Sequence, residues 1–270
     1  MVPKITVLMS VYNGVTFLKD SIESILSQSF TEFEFIIFDD NSHDGSQQIL
    51  QEYAKNDSRI KVITNKSNKG LGANLQKGVK LASGKYIARM DDDDIAAIDR
   101  LQIQYEYALA NPQIDIIGSI AIDIDENNNE VGIRRVPLYH NDIVNYIWTC
   151  PIIHPTVLFK KEAILKAGSY GNERRRQDYA LWFRCANHGL KFANIDKPLL
   201  RYRFYDIYYK KNDLTALIYQ VKIGLKGCRL VKASPIAYIG VCIPLVKGIL
   251  PRSLKKGITI LMKKFDPRYK

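Results

Sequence analysis

The chain is poor in cysteine, has no repeat and no low-complexity stretch, and shows no charge imbalance through most of its length. Its four cysteines, Cys150, Cys185, Cys228 and Cys242, are scattered and form no C-x-x-C pair. That spacing argues against a zinc cluster or a disulfide framework and fits a reducing, cytoplasmic compartment. The first residues lack the charged-then-apolar pattern of a leader; the apolar run Ile5 to Val11 is short and reads as a strand. The net charge of +11 sits at one end. From Tyr219 onward there are twelve Lys/Arg against one acid, Asp266, which leaves 27 bases and 27 acids in the body. A neutral body argues against nucleic acid as a partner. A basic tail calls for an anionic partner, first of all a membrane surface.

What is present is an alternation of strand and helix patterns. Apolar, β-branched runs at Lys4–Met9, Glu34–Phe38, Ile60–Thr64, Lys85–Met90 and Ile114–Ser119 read as strands. Helical spacing joins Phe17, Ile22, Ile25 and Leu26, then Ile49, Leu50 and Tyr53 behind an Asp44 or Ser46 cap, then Leu71–Leu81 and about Ile98 to Ala110. Repeated β-α-β units with short connections predict an α/β fold: a Rossmann-like, mostly parallel sheet with helices on both faces. Such sheets bind ligands beyond the carboxyl ends of their strands. Three strands run into polar loops there, Ser10–Asn13, Asp39–Ser42 and Asp91–Asp94, so the pattern gathers these loops on one rim. The second part is less regular. A hairpin over Ile120–Arg135 turns at Asn127-Asn128-Asn129, a short helix covers Asn141–Trp148, a strand Thr156–Phe159, and helices Glu162–Ala167 and Asp178–His188 each stop at a glycine. The expected division is a body of residues 1–208, nucleotide-binding to about 119 and acceptor-side from about 120, followed by a basic helical tail, 209–270.

The run Asp91-Asp92-Asp93-Asp94 is the strongest local signal. Four adjacent carboxylates repel one another, and a divalent cation relieves that repulsion; oxygen ligands suit Mg2+ or Mn2+. The D-x-D spacing turns Asp91 and Asp93 to one side of an extended loop. The same run also suits a solvated acidic loop before a helix. Asp39-Asp40 can accept hydrogen bonds from a base or a ribose, or form an Asx-turn. His154, before a strand, reads by default as a structural hydrogen-bonder. Asp178 opens a helix, where an N-cap is the ordinary role, and Arg174-Arg175-Arg176 before it can meet phosphates or solvent.

Several segments together carry a resemblance. V-L-M-S-V-Y-N (Val7–Asn13), S-I-x-S-I-L-x-Q-S-F (Ser21–Phe30), F-x-x-I-I-x-D-D-N-S-x-D-G-S (Phe33–Ser46) and N-x-G-L (Asn68–Leu71) come first. A-S-G-K-Y-I-A-R-M-D-x-D-D (Ala82–Asp94), D-R-L (Asp99–Leu101), H-P-T (His154–Thr156) and Q-D-Y-x-L-W-x-R (Gln177–Arg184) follow. In this order, over about residues 4 to 204, they resemble the family 2 glycosyltransferases with a GT-A fold. The resemblance implies that Ser10, Val11 and Tyr12 line a nucleotide-base pocket, with Asp40 on the base and Asp39 and Asp92 beside the nucleotide. It makes Asp91 and Asp93 the metal-binding D-x-D pair, with Asp93 favoured as direct ligand, and Asp178 the catalytic base. His154 falls near the acceptor or the diphosphate. It further implies an inverting transfer from a nucleotide-sugar, a UDP-sugar, to a glycan or lipid-linked acceptor in surface polysaccharide or lipopolysaccharide synthesis.

The departures from the family pattern are Gln76 for an asparagine, Ala180 for a second acid beside Asp178, and Arg201-Tyr202-Arg203-Phe204-Tyr205 where a histidine follows a Y-R pair. Arg203 or a tyrosine then takes that histidine's place toward metal or phosphate. No Q-x-x-R-W signature is present, which favours transfer of a single sugar.

In the tail, Leu214, Leu217, Ile218, Val221, Leu225 and Cys228 form one helical stripe with Lys222, Lys226, Arg229 and Lys232 alongside. This is either a basic amphipathic helix lying peripherally on the cytoplasmic leaflet or a helix packed on the body. Ala233–Val246 is apolar but broken by Pro235 and Pro244, and too short to span. Two other readings compete for the whole. A nucleotidyltransferase would carry a Gly-rich basic phosphate loop, which Ser10–Gly14 is not. A non-catalytic sugar-nucleotide or glycan-binding module would have no need of Asp40, Asp91, Asp93 and Asp178 together.

Overall fold

In the computed structural model, residues 2–171, 173–204 and 214–249 are described. The expected boundary near Tyr208 and the lysines from Lys255 onward lie outside them. A single sheet forms the centre, its strands ordered β3-β2-β1-β4-β8-β6-β9-β5 with β7 paired to β6. The strands are β1 (Ile5–Val11), β2 (Phe33–Asp39), β3 (Ile60–Thr64), β4 (Tyr86–Arg89), β5 (Ile95–Ala96), β6 (Ile116–Ile124), β7 (Glu130–Arg134), β8 (Leu158–Lys160) and β9 (Phe192–Arg203). β1 to β4 are parallel. β8 runs antiparallel to both β4 and β6, and β9 runs parallel to β6.

Because successive strand residues face opposite ways, the sheet separates two apolar layers. Leu8, Ile36, Phe38, Ile87, Ile116 and Phe159 point to one side. There they meet α3 (Leu71–Leu81), α6 (Lys161–Lys166) and α7 (Gln177–Asn187). Val7, Met9, Phe35, Ile37, Ala88 and Ile117 point to the other. That layer is closed by α1 (Leu18–Leu26), α2 (Ser46–Asn56) and α4 (Arg100–Ala110). Strands buried on both faces read as largely apolar runs, which is why β1, β2 and β4 were visible in sequence; β3, at the sheet edge, keeps a short β-branched run with Lys61 exposed.

The second part departs more from expectation. The Asn141–Trp148 helix is α5 (His140–Asn145) followed by a 3-10 turn at Ile147–Thr149. His154–Thr156 is itself a 3-10 turn, so the strand expected from Thr156 starts only at Leu158. The longest strand, β9, was not foreseen: Asn194, Asp196, Lys197 and Pro198 interrupt its apolar pattern, and its register against β6 shifts around Ser119 and Ile120.

At the opposite end of the sheet from the polar loops, Glu34 ties three segments together. Its carboxylate accepts hydrogen bonds from Thr6 Oγ1 (2.7 Å), Lys61 Nζ (2.7 Å) and the Ser83 backbone N–H (2.6 Å). Burial alone would raise this carboxyl, but the bonds from Lys61, Ser83 and Thr6 outweigh it and hold Glu34 below its usual 4.5. A carboxyl depressed on folding contributes stability that is complete above its unfolded value and is lost as pH falls through the folded one. Glu34→Gln should therefore lower stability at neutral pH by roughly 1–2 kcal/mol. It should also flatten the loss of stability below about pH 4.5, read from denaturant titrations across that range.

The tail helices α8 (Leu214–Leu230) and α9 (Pro235–Ile249) pack on the body beside α7. Val221 and Cys228 of the expected outward stripe are buried in the α7 layer. The approach is close because of glycine: a Cβ on Gly227 would collide with the Phe183 ring. Of the rest of the stripe, Leu217 is half-buried, while Leu214, Ile218 and Leu225 are exposed and are joined by Ile236, Ile239 and Val246 of α9. No helix among the described residues is long and apolar enough to cross a membrane.

Candidate active site

The three polar loops do meet at the carboxyl ends of β1, β2 and β4. The first two are laced together. The Asn13 N–H donates to Ser42 Oγ (3.1 Å), the His43 N–H to Asn13 Oδ1 (2.9 Å), the Gly14 N–H to Ser46 Oγ (3.1 Å) and the Val15 N–H to Asp44 Oδ2 (3.0 Å). Asn13 and Asn41 both take the left-handed conformation, which asparagine tolerates better than most residues. Tyr12 is half exposed at this rim, whereas the Val11 side chain is buried in the core, so Val11 presents only backbone.

Asp39 and Asp40 are both buried. Asp39 Oδ1 accepts the N–H of Ser42, three residues on, at 3.0 Å. Asp40 holds the loop before α3: Oδ1 accepts Asn65 Nδ2 and the Lys69 N–H, and Oδ2 the Gly70 N–H, each at 2.8 Å. Asn65 Nδ2 also donates to Asn74 Oδ1 (2.7 Å), and Asn74 Nδ2 to Ser10 Oγ (2.9 Å). Burial works against the Asp40 charge, but these donors prevail and keep its carboxyl below the usual range. Ser10 and Asp40 are thus joined in one hydrogen-bonded chain beneath the rim.

The third loop is the acidic one. Asp91, Asp93 and Asp94 each place one carboxylate oxygen within 4.8 Å of the others. Asp94 is fully buried, with Oδ1 accepting the Arg203 N–H (2.8 Å) and Oδ2 meeting no partner among the described residues. Its carboxyl is raised well above the usual range by burial and by Asp93 and Asp91. Asp92 abuts Gly14, where a Cβ would strike its carboxylate. Burial, then Asp93 and Asp91, push Asp92 up to about 8. Clustered hard oxygen ligands with an unsatisfied buried carboxylate oxygen fit Mg2+ or Mn2+.

Arg203 sits beneath this loop instead of facing phosphate. Its Nε donates to the Asp93 carbonyl (2.7 Å), its Nη1 to the Asp125 carbonyl (2.9 Å), and its guanidinium stacks over Phe17 at 4.0 Å. It clamps the acidic loop to the end of β9, and the role toward metal or phosphate expected of it gives way to that of a scaffold.

Asp178 lies in the first turn of α7 and is not its N-cap; that position is Arg176, in the left-handed conformation. A carboxylate there is favoured by the helix dipole. The Cys150 thiol donates weakly to Asp178 Oδ2 at 3.9 Å. His154 is buried, shares a 2.8 Å hydrogen bond with the Tyr170 hydroxyl and meets the edge of Trp182. Burial and the nearby Arg89 cation hold it well below its usual value, so it is a neutral imidazole. Burial raises the Tyr170 hydroxyl, Arg89 counters, and the charges of Asp178 and Asp91 raise it further.

Sequence reading gave no role to Arg89 or Tyr170, and it placed Asp94 in the acidic run without a role of its own. A usable signal existed for the first: one arginine inside the apolar run Lys85–Met90, immediately before the aspartates, since a charge in a buried strand is rare unless paired.

Comparison with known proteins places the chain. The model of Glycosyl transferase family 2 matches residues 6–167, and the chain belongs to that family. It is a glycosyltransferase with the GT-A fold. An otherwise uncharacterized glycosyltransferase of Methanocaldococcus jannaschii, MJ1057, is 39% identical over 206 residues, 74% of this chain and 71% of that protein. The Escherichia coli UDP-Gal:alpha-D-GlcNAc-diphosphoundecaprenol beta-1,3-galactosyltransferase is 31% identical over 205 residues, 75% of this chain and 74% of its own length. Among solved structures, Staphylococcus aureus TarS 1-349 with UDP-GlcNAc superposes with a TM-score of 0.68 at 16% identity, covering 98% of this chain and 78% of that one. The mannosyltransferase PcManGT of Pyrobaculum calidifontis with GDP-Man and Mn2+ gives 0.60 at 16%, covering 99% and 82%. These two likenesses establish the shared fold.

Proposed function

We propose that the chain transfers one sugar, with inversion, from a UDP-sugar to a hydroxyl of a lipid-linked glycan during surface polysaccharide synthesis. What supports this reading is the acidic cluster of Asp91, Asp93 and Asp94 at the carboxyl end of β4, together with Asp178 in the first turn of α7, whose charge, like that of Asp91, acts on the buried Tyr170. A lipid-diphosphate acceptor and UDP-linked donors appear in the names of the E. coli relative and of the TarS complex.

The chemistry divides among named groups. The Ser10–Asn74–Asn65–Asp40 chain and Tyr12 shape the nucleotide side. Asp93, with Asp91, would hold Mn2+ or Mg2+, which when bound offsets charge developing on the leaving diphosphate. Asp178 takes the proton of the acceptor hydroxyl as that oxygen forms its bond to the anomeric carbon. The bond from that carbon to the diphosphate oxygen breaks on the opposite face, and nucleoside diphosphate leaves. Ala180 supplies no second acid, so Asp178 acts alone. The test is release of nucleoside diphosphate from UDP-sugars with Mn2+ and a lipid-diphosphate glycan. Pyrophosphate release from NTP and sugar phosphate would instead identify a nucleotidyltransferase, and no release under either condition a binding module.

The same reading places the enzyme peripherally on the cytoplasmic leaflet. Its support is the exposed apolar set Leu214, Ile218, Leu225, Ile236 and Ile239 beside the exposed Lys222, Lys226 and Arg229. Wild-type protein should float with phosphatidylglycerol vesicles and not with neutral ones, and Ile236→Glu with Ile239→Glu should abolish flotation. Equal flotation of the double variant would remove the membrane from the account.

A further inference from the structure

Arg89 is the only charged residue of β4, and its side chain is 3% exposed. Its backbone is fixed on both sides: its N–H donates to the Val157 carbonyl (2.9 Å), and its own carbonyl accepts from Arg100 Nη2 (2.8 Å). One edge of the guanidinium, Nη2, pairs with Asp91 Oδ1. Nε and Nη1 are buried and meet no acceptor among the described residues. Each unmatched buried donor is costly; Arg203, which clamps the loop backbone through Asp93 and Asp125, leaves one such donor, Nη2, whereas Arg89 leaves two. Arg89 instead spends its one ion pair on a member of the cation-binding cluster.

Two electrostatic consequences follow. One of the two Asp91 oxygens, Oδ1, is already committed to a cation. The guanidinium, which stays charged at any physiological pH, also cancels one of the cluster's negative charges and repels a divalent ion placed against Asp93 and Asp94. Replacement ligands must then come with the metal, and the diphosphate of the donor supplies them.

We propose that Arg89 is a positioning residue, an internal counter-ion that withholds Asp91 from the metal, so that the nucleotide-free protein takes up Mn2+ weakly and holds it only together with a nucleotide diphosphate. This rests on the cation-binding reading of the acidic loop. It makes metal and nucleotide uptake strongly cooperative, with Asp93 the principal protein ligand and Asp91 a second-rank one that Arg89 orients.

The test is Mn2+ binding to the full chain without nucleotide, followed by the spin-resonance signal of free Mn2+, with thermal melts confirming that each variant is folded. Arg89→Met uncovers Asp91, which is 25% exposed and can be solvated. It should bind Mn2+ at least about tenfold more tightly than wild type, from removal of one positive charge a few ångströms away. The double variant Arg89→Met/Asp91→Asn keeps the net charge of the cluster, and replacing both partners of a buried pair is often tolerated where breaking it is not. It should bind Mn2+ within about threefold of wild type, since on this account Asp91 contributes no free ligand. A folded Arg89→Met with unchanged or weaker Mn2+ binding overturns the proposal. So does a double variant that loses about tenfold or more, and this decides the matter if the single variant does not fold. If wild type binds no Mn2+ even with UDP present, the metal reading beneath it fails instead.

Discussion

Asp178→Asn is expected to lower sugar transfer by about 10²–10⁴-fold while leaving nucleotide affinity within about twofold of wild type. The asymmetry comes from position. Asp178 lies in the first turn of α7, whereas the proposed nucleotide side is built from Ser10 of β1, Asn74 of α3 and the loop residues Asp40 and Asn65. An amide is nearly isosteric with the carboxylate, so packing is kept, but it cannot accept the hydroxyl proton. With Ala180 beside it, no neighbouring acid stands in. Turnover and nucleotide binding, measured on the same preparation, separate the two effects. Near-normal turnover would remove Asp178 as the base.

Asp93→Ala should act at the opposite step. Nucleotide affinity measured with Mn2+ should fall by about 10²-fold, roughly 3 kcal/mol, while affinity measured with EDTA should not change. The variant removes a half-buried carboxylate from a cluster in which Asp94 is already tied to the Arg203 N–H and Asp91 to Arg89. Removal also relieves repulsion on Asp92 and Asp94, both raised in part by Asp93. Equal loss with and without metal would show that Asp93 shapes the pocket instead of holding the ion.

The parts of the fold legible in sequence were those where burial imposes a strict period. β1, β2 and β4 are covered on both faces and show as largely apolar runs, the edge strand β3 keeps a short β-branched one, and the helices between them keep one apolar side. β9 was invisible because it pairs with β6 through two register shifts and carries Asp196, Lys197 and Pro198 along an edge left to solvent. The tail shows the converse limit. Its helical period was plain, but which side faces the body depends on Gly224 and Gly227, whose missing side chains admit Val241, Tyr179 and Phe183. No hydropathy pattern reports that a gap, and not an apolar residue, makes the contact. At the site, the aspartates could be read from their spacing after β4. Their partners could not, because Arg203 and Tyr170 reach the loop from segments remote in the chain. His154 is the neutral hydrogen-bonder that its residue type suggested by default.

The central claim is spatial: one cleft bounded by the cation-binding loop on one side and Asp178 on the other. The most direct measurement is a crystal structure with UDP-sugar and Mn2+, the ion located by its anomalous signal. The account predicts the ion against the Asp93 carboxylate and the donor diphosphate, with the anomeric carbon between it and the Asp178 carboxylate. An ion bound away from Asp93, or a sugar whose anomeric carbon faces away from Asp178, would contradict it.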